Sequence, residues 1–130
     1  LQISRDEVAP FEKLTISLKV ENTGDRAGDE VVQLYLHDAF ASMARPVREL
    51  AGFLRVGLEP GEKKTVVFTV EPSQMAFLDK DMRWKIEKGT IEVEIGSSSD
   101  DIRLTGSYEV TENGWIAGKD RAFYAKAAVE

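Results

Sequence analysis

At 130 residues the chain has the length of one ordinary domain, and its 42% apolar and 31% charged residues argue against disorder, collagen-like repeats and low-complexity linkers. Seventeen Lys and Arg against 23 Asp and Glu leave a formal charge of -6, a field that repels phosphate backbones and anionic bilayers; neither nucleic acid nor a membrane is expected as a partner. Cysteine is absent and histidine occurs once, at His37, so disulfides, thiolate metal sites and cysteine nucleophiles are excluded and an imidazole-rich metal centre is not expected.

The chain opens on Leu1-Gln2-Ile3 without an initiator Met or a leader pattern, which reads as a piece of a longer protein. No apolar run approaches the roughly 20 residues of a bilayer span. Leu14 to Glu21 alternates strictly, with Leu14, Ile16, Leu18 and Val20 on one face, so a half-buried strand is expected, and Asn22-Thr23-Gly24-Asp25 should turn the chain. Glu30 to His37 is apolar on both faces, Val32, Leu34 and Leu36 against Val31, Gln33 and Tyr35, as in a central strand. Asp38 to Pro46 loses the alternation and reads as a loop, followed by a strand from Arg48 to Leu58, a turn at Glu59-Pro60-Gly61-Glu62 and a strand through Val66, Phe68 and Val70.

Pro72-Ser73 breaks that run, and Met75 to Lys88 is mixed. A short strand at Ala76 to Leu78, a charged corner at Asp79-Lys80-Asp81 and a strand from Trp84 to Ile86 compete there with a helix. Thr90 to Ile95 alternates again, Gly96 to Asp100 punctuates it, and Ile102, Leu104, Tyr108 and Val110 form a last face, with Gly106 suggesting a bulge or a close backbone approach. Turns every 8 to 12 residues or so, with no sustained helical period, predict an all-β antiparallel sandwich of about seven strands. Residues 1–110 account for it. Residues 111–130 add Trp115, Phe123 and Tyr124 and read as an extension, either a further strand or an arm, packing on the sandwich or on the rest of a longer protein.

No residue set converges on catalysis. Asp38, Asp79, Asp81, Asp100 and Asp101 each fall in turn signals, where a carboxylate bonds local backbone, and Ser97-Ser98-Ser99 lacks a strand-turn-helix elbow. Asn22, Asp25 and Asp29 make only a weak calcium pattern. Trp84 and Trp115 are the candidate sugar contacts, because flat rings cover pyranose faces, although packing is the commoner fate of a Trp. Met43 to Phe53 mixes Arg, Pro and bulky apolar groups where a plain connection would be short and polar, which suits either a docking surface or a self-packed loop.

Gly28-Asp29-Glu30-Val31-Val32-Gln33-Leu34-Tyr35, Arg45-Pro46-Val47-Arg48-Glu49-Leu50, Gly52-Phe53 and Leu58-Glu59-Pro60-Gly61-Glu62 resemble the fibronectin type III-like domain that closes many family-three glycoside hydrolases. The resemblance continues through Asp81-Met82-Arg83-Trp84, Ile95-Gly96-Ser97-Ser98-Ser99 and Asp101-Ile102-Arg103-Leu104, while the tail resembles extensions of some bacterial members more loosely. It implies a fibronectin type III-like, immunoglobulin-like β-sandwich. It also implies a noncatalytic role, since such enzymes carry their aspartate nucleophile on an N-terminal barrel and their acid/base on a following α/β domain. The implied parent is a retaining β-glucosidase or β-xylosidase, with its catalytic domains as the partner and no cofactor on this piece. Arg45, Pro46, Arg48 and Glu49 are the expected docking residues, with Leu50 and Phe53 anchoring inward; the arginines offer planar donors and the proline stiffens the loop. The rival reading is a free-standing carbohydrate-binding or adhesion module.

Overall fold

The computed structural model describes residues 1–38, 49–98, 100–117 and 125–129. Its strands, in chain order, are β1 (Gln2–Ile3), β2 (Glu7–Val8), β3 (Leu14–Glu21), β4 (Gly28–Asp38), β5 (Glu49–Leu58), β6 (Lys63–Val70), β7 (Phe77–Leu78), β8 (Trp84–Ile86), β9 (Gly89–Ser98), β10 (Asp101–Val110), β11 (Gly114–Ile116) and β12 (Lys126–Val129). A single 3-10 turn, Pro72–Met75, follows β6, and no α-helix occurs among the described residues. Six strands reach eight residues or more; the others are short pieces that extend sheet edges or build a small third sheet.

Two sheets face one another, one in the order β1-β3-β6-β12 and the other β2-β10-β9-β4-β5. The pairings are antiparallel except that of β2 with β10. Alternation explains the core. Leu14, Ile16 and Leu18 of β3 stand opposite Val70, Phe68 and Val66 of β6, and all six are buried. The other layer contributes Val32, Leu34 and Leu36, Ile91, Val93 and Ile95, Val56 and Leu58, with Tyr108 and Val110 of β10. Each side chain alternates inward because successive Cβ atoms leave opposite faces of a strand.

Two irregularities break the alternation. On β5, Tyr35 pairs with Leu50 and Leu34 with Gly52, which leaves Ala51 as the extra residue of a bulge. The freed Ala51 carbonyl accepts from the Gln74 amide at 3.1 Å and from the Ala125 backbone N–H at 2.6 Å. A bulge thus ties the 3-10 turn and the chain's last strand to the opposite sheet. The second irregularity falls between Asp101 and Leu104, opposite Gly96, rather than at Gly106, where β9 and β10 run in regular register. What lies close to Gly106 is a pair of side chains, Ile3 and Leu1, not backbone.

The mixed segment contains no helix beyond the 3-10 turn; β7 and β8 form a hairpin that β11 joins in the order β11-β8-β7. In the tail, β12 runs along β6, Lys126 opposite Thr69 through Val129 opposite Val66. Asp38, read from the sequence as a turn residue, is instead buried at the end of β4.

Tyr108 is the buried polar group without a hydrogen-bond partner among the described residues, and burial, with the charge of Asp38, pushes its phenol up from the ordinary tyrosine value. The raised value means that this group leaves stability unchanged with pH below the ordinary tyrosine pKa and that stability falls as pH rises from there through the folded pKa. An orphan hydroxyl costs on the order of 1–3 kcal/mol of desolvation. Tyr108→Phe should therefore raise the stability by about 1 kcal/mol, read as a higher urea midpoint at unchanged slope. A destabilised variant would mean that the hydroxyl holds a bond in solution.

Candidate docking surface

Of the segment singled out in the sequence, Glu49 to Phe53 lies among the described residues; Arg45, Pro46 and Arg48 lie outside them. Glu49 opens β5 half-buried, opposite Leu36. Leu50 and Phe53 do not anchor inward. Both face solvent, Phe53 at 58% exposure, because the extra residue at Ala51 flips the phase of the strand between them. Ala51 and Gly52 take the inward places.

The outer face of β4 and β5 is then built in rows: Tyr35 opposite Leu50, Gln33 opposite Phe53, Val31 opposite Arg55. Val31 and Leu50 are both exposed, which gives one corner of this sheet an apolar surface. Polar contacts hold its rim. The Tyr35 hydroxyl donates to Gln33, and Arg55 donates to Asp29 at 2.9 Å. Further across, His37 lies 3.2 Å from Glu92, and the Thr90 hydroxyl donates to Glu109, so the face turns acidic towards β9 and β10. Exposed pairs of this kind contribute only about 0.2–1 kcal/mol each, so they orient the face more than they stabilise it.

The two tryptophans have different surroundings. Trp84 is half-buried and packs against the core, whereas Trp115 is 43% exposed on the outer face of the small sheet, in register with Lys85 and Phe77. Its indole N–H donates to Asp79 at 3.0 Å, and the Arg83 guanidinium lies 5.0 Å from the ring centroid. Asp79 also accepts the backbone N–H groups of Asp81 and Arg83, closing the turn between β7 and β8. Those bonds, the Arg83 backbone first and the Trp115 indole next, hold its carboxyl below the usual aspartate range. A lowered value means that the contribution is present above the ordinary aspartate pKa and lost as pH falls through the folded one. The Trp115 indole N–H resonance should keep its native position until the pH drops below the ordinary aspartate range. In Asp79→Asn this acid transition should vanish; its persistence would assign the titration to another group.

The remaining sequence candidates are used locally. Asn22 bonds Gly24, Arg26 and Leu58, Asp29 pairs with Arg55, and Asp101 accepts from Ser97 and Arg103. Among the described residues, no three His, Asp or Glu side chains converge as metal ligands. No helix there is long and apolar enough to cross a membrane.

The family model for the fibronectin type III-like domain matches residues 30–99, which span β4 through β9. The chain belongs to that family. As a fibronectin type III-like domain it is 37% identical to thermostable beta-glucosidase B of Acetivibrio thermocellus, over all of this chain and 17% of that protein. It is 44% identical to beta-glucosidase BoGH3A of Bacteroides ovatus, over 74% of this chain and 13% of the relative. Among solved structures, the Kluyveromyces marxianus beta-glucosidase in complex with glucose superimposes with a TM-score of 0.75 at 39% identity, covering 84% of this chain and 14% of that one. Beta-glucosidase 3B of Thermotoga neapolitana gives 0.79 at 34%, covering 88% and 16%. The domain therefore corresponds to a small C-terminal part of family-three glycoside hydrolases.

The sequence singled out the loop and β5 as a candidate docking surface but not the exposed apolar face of β4 beside it. The signal was present in Val31 and Tyr35, on the second apolar face of that strand, which reads equally well as a buried central strand.

Proposed function

We propose that this domain is a noncatalytic accessory module that docks on the catalytic domains of a β-glycosidase and stabilises their arrangement, the parent cleaving terminal β-linked sugars with retention. The observation that carries this reading is coverage: the chain spans 13% to 17% of the β-glucosidases it matches, which leaves their bulk as its natural partner. The exposed apolar corner of Val31, Leu50 and Phe53 supports it, since such a patch rimmed by polar groups suits burial against another surface. Arg45, Pro46, Arg48 and Glu49 are further docking residues in this reading, with the arginines donating to carboxylates or carbonyls of the partner. Residues 111–130 act as an extension on the 1–110 body, a reading supported by the pairing of Lys126–Val129 with β6.

A chimera tests this. The Bacteroides ovatus β-glucosidase, with its own C-terminal domain replaced by this chain, should remain active and melt cooperatively. Phe53→Ala combined with Arg45→Ala and Arg48→Ala should weaken the docking by about 2 kcal/mol or more, seen as a lower melting temperature. Unchanged melting and activity would remove the docking surface, and turnover of aryl β-glucosides or β-xylosides by the isolated chain would remove the noncatalytic assignment.

A further inference from the structure

Two exposed aromatic rings from opposite ends of the chain line one cleft, on the small sheet and away from the β4–β5 face. Phe11 is 68% exposed on the turn between β2 and β3. That turn is fixed: the Glu12 carboxylate accepts the Ala9 backbone N–H at 2.9 Å and the Arg5 guanidinium at 2.7 Å. It rests directly on β11, because a Cβ at Gly114 would come within 2.8 Å of Pro10 and 3.1 Å of the Phe11 ring. The residue after Gly114 is Trp115.

Trp115 lines two concavities. One, of about 390 Å³, holds Arg83, Lys85 and Asp79. The other, of about 420 Å³, is lined by Phe11, Pro10, Glu71, Ser73 and Trp115 and falls within the roughly 300–1,000 Å³ range of small-ligand sites. At its edge the Glu71 carboxylate accepts from the Ser73 hydroxyl and lies 3.3 Å from the Lys13 ammonium. The same carboxylate accepts the Gln74 backbone N–H as the cap of the 3-10 turn, so of its roughly four lone-pair sites about one remains for a ligand hydroxyl. The indole is already oriented by its bond to Asp79, which lowers the ordering cost of binding.

We infer that this cleft is a subsite for a β-linked gluco- or xylo-configured oligosaccharide. In such sugars every ring hydroxyl is equatorial, so both pyranose faces present axial C–H groups. These carry slight positive charge and match the electron-rich faces of Trp115 and Phe11, while the equatorial hydroxyls project sideways towards Glu71. α-Linked chains of the same sugars bend away from this flat shape. The subsite rests on the chain's membership of a family found in β-glucosidases and on the cleft's own geometry, independently of docking through Phe53.

The test is a heteronuclear NMR titration of the 130-residue chain with cellotetraose and xylotetraose, with maltotetraose as the α-linked comparison. The Trp115 indole N–H should shift saturably with either β-linked sugar while that of Trp84 stays in place. Phe11→Ala, at a side chain 68% exposed, and Trp115→Ala should each weaken binding about tenfold, the loss of one aromatic contact. Phe53→Ala should leave it unchanged. Should Trp115→Ala fail to fold, Phe11→Ala decides alone. The subsite is overturned if no saturable shift appears, if maltotetraose shifts Trp115 equally, or if folded Phe11→Ala binds as tightly as the parent chain. It is likewise overturned if the cleft variants lower docking in the chimera while sugar binding is untouched, because the cleft would then be a protein contact.

Discussion

Gly96→Ala is expected to destabilise the domain by about 3 kcal/mol, the upper end of the usual cost of overpacking a filled site. A Cβ on residue 96 would sit 2.1 Å from the Asp101 carbonyl oxygen and 2.9 Å from its carbon, both backbone atoms with no rotamer to yield. The collision falls where β10 slips its register, between Asp101 and Leu104, while on its other side Gly96 pairs with Gln33 of β4. Relief would require moving either the bulge or the central ladder. The variant should unfold at a markedly lower urea concentration. A Gly96→Ala midpoint within error of the parent would mean that the bulge relaxes freely.

Phe68→Ala should cost about 3–5 kcal/mol, the range for truncating a fully buried aromatic ring. Phe68 has no exposed surface and pairs with Ile16 on one side and Ala127 on the other. Its ring also fills the space above Gly52, where a Cβ would come within 3.1 Å of it and 3.2 Å of Ala125. The loss therefore falls on both sheets and the last strand together. The amide exchange of Lys126–Val129 should accelerate alongside the drop in global stability. Full protection of β12 in the variant would show that its anchorage lies in the backbone ladder alone.

The long strands were legible because each buries one face, and a period of two then fixes which residues turn inward, as for Leu14, Ile16 and Leu18. Where that logic fails, a bulge is responsible. Nothing local in Leu50-Ala51-Gly52-Phe53 announces that Ala51 is supernumerary, because the cause is the register imposed by Leu34 and Tyr35 of β4 and the demand for a carbonyl by Gln74 and Ala125. The same holds for Met75 to Lys88, whose hairpin is specified by the Asp79 carboxylate bonding forward to Asp81 and Arg83 and across to Trp115. Trp115 could be nominated from its residue type. Phe11 could not, since its proximity to Trp115 is created by the absence of a side chain at Gly114.

The parallel pairing of Glu7–Val8 with Glu109–Val110 joins the two ends of the sandwich. Val8 is almost wholly buried, so during synthesis this early segment must wait, wet and unpaired, until nearly the whole domain has left the ribosome. Closing so long a loop makes the domain a slow folder by topology. Its second strand becomes native among its last events, whereas the first can pair with β3 early.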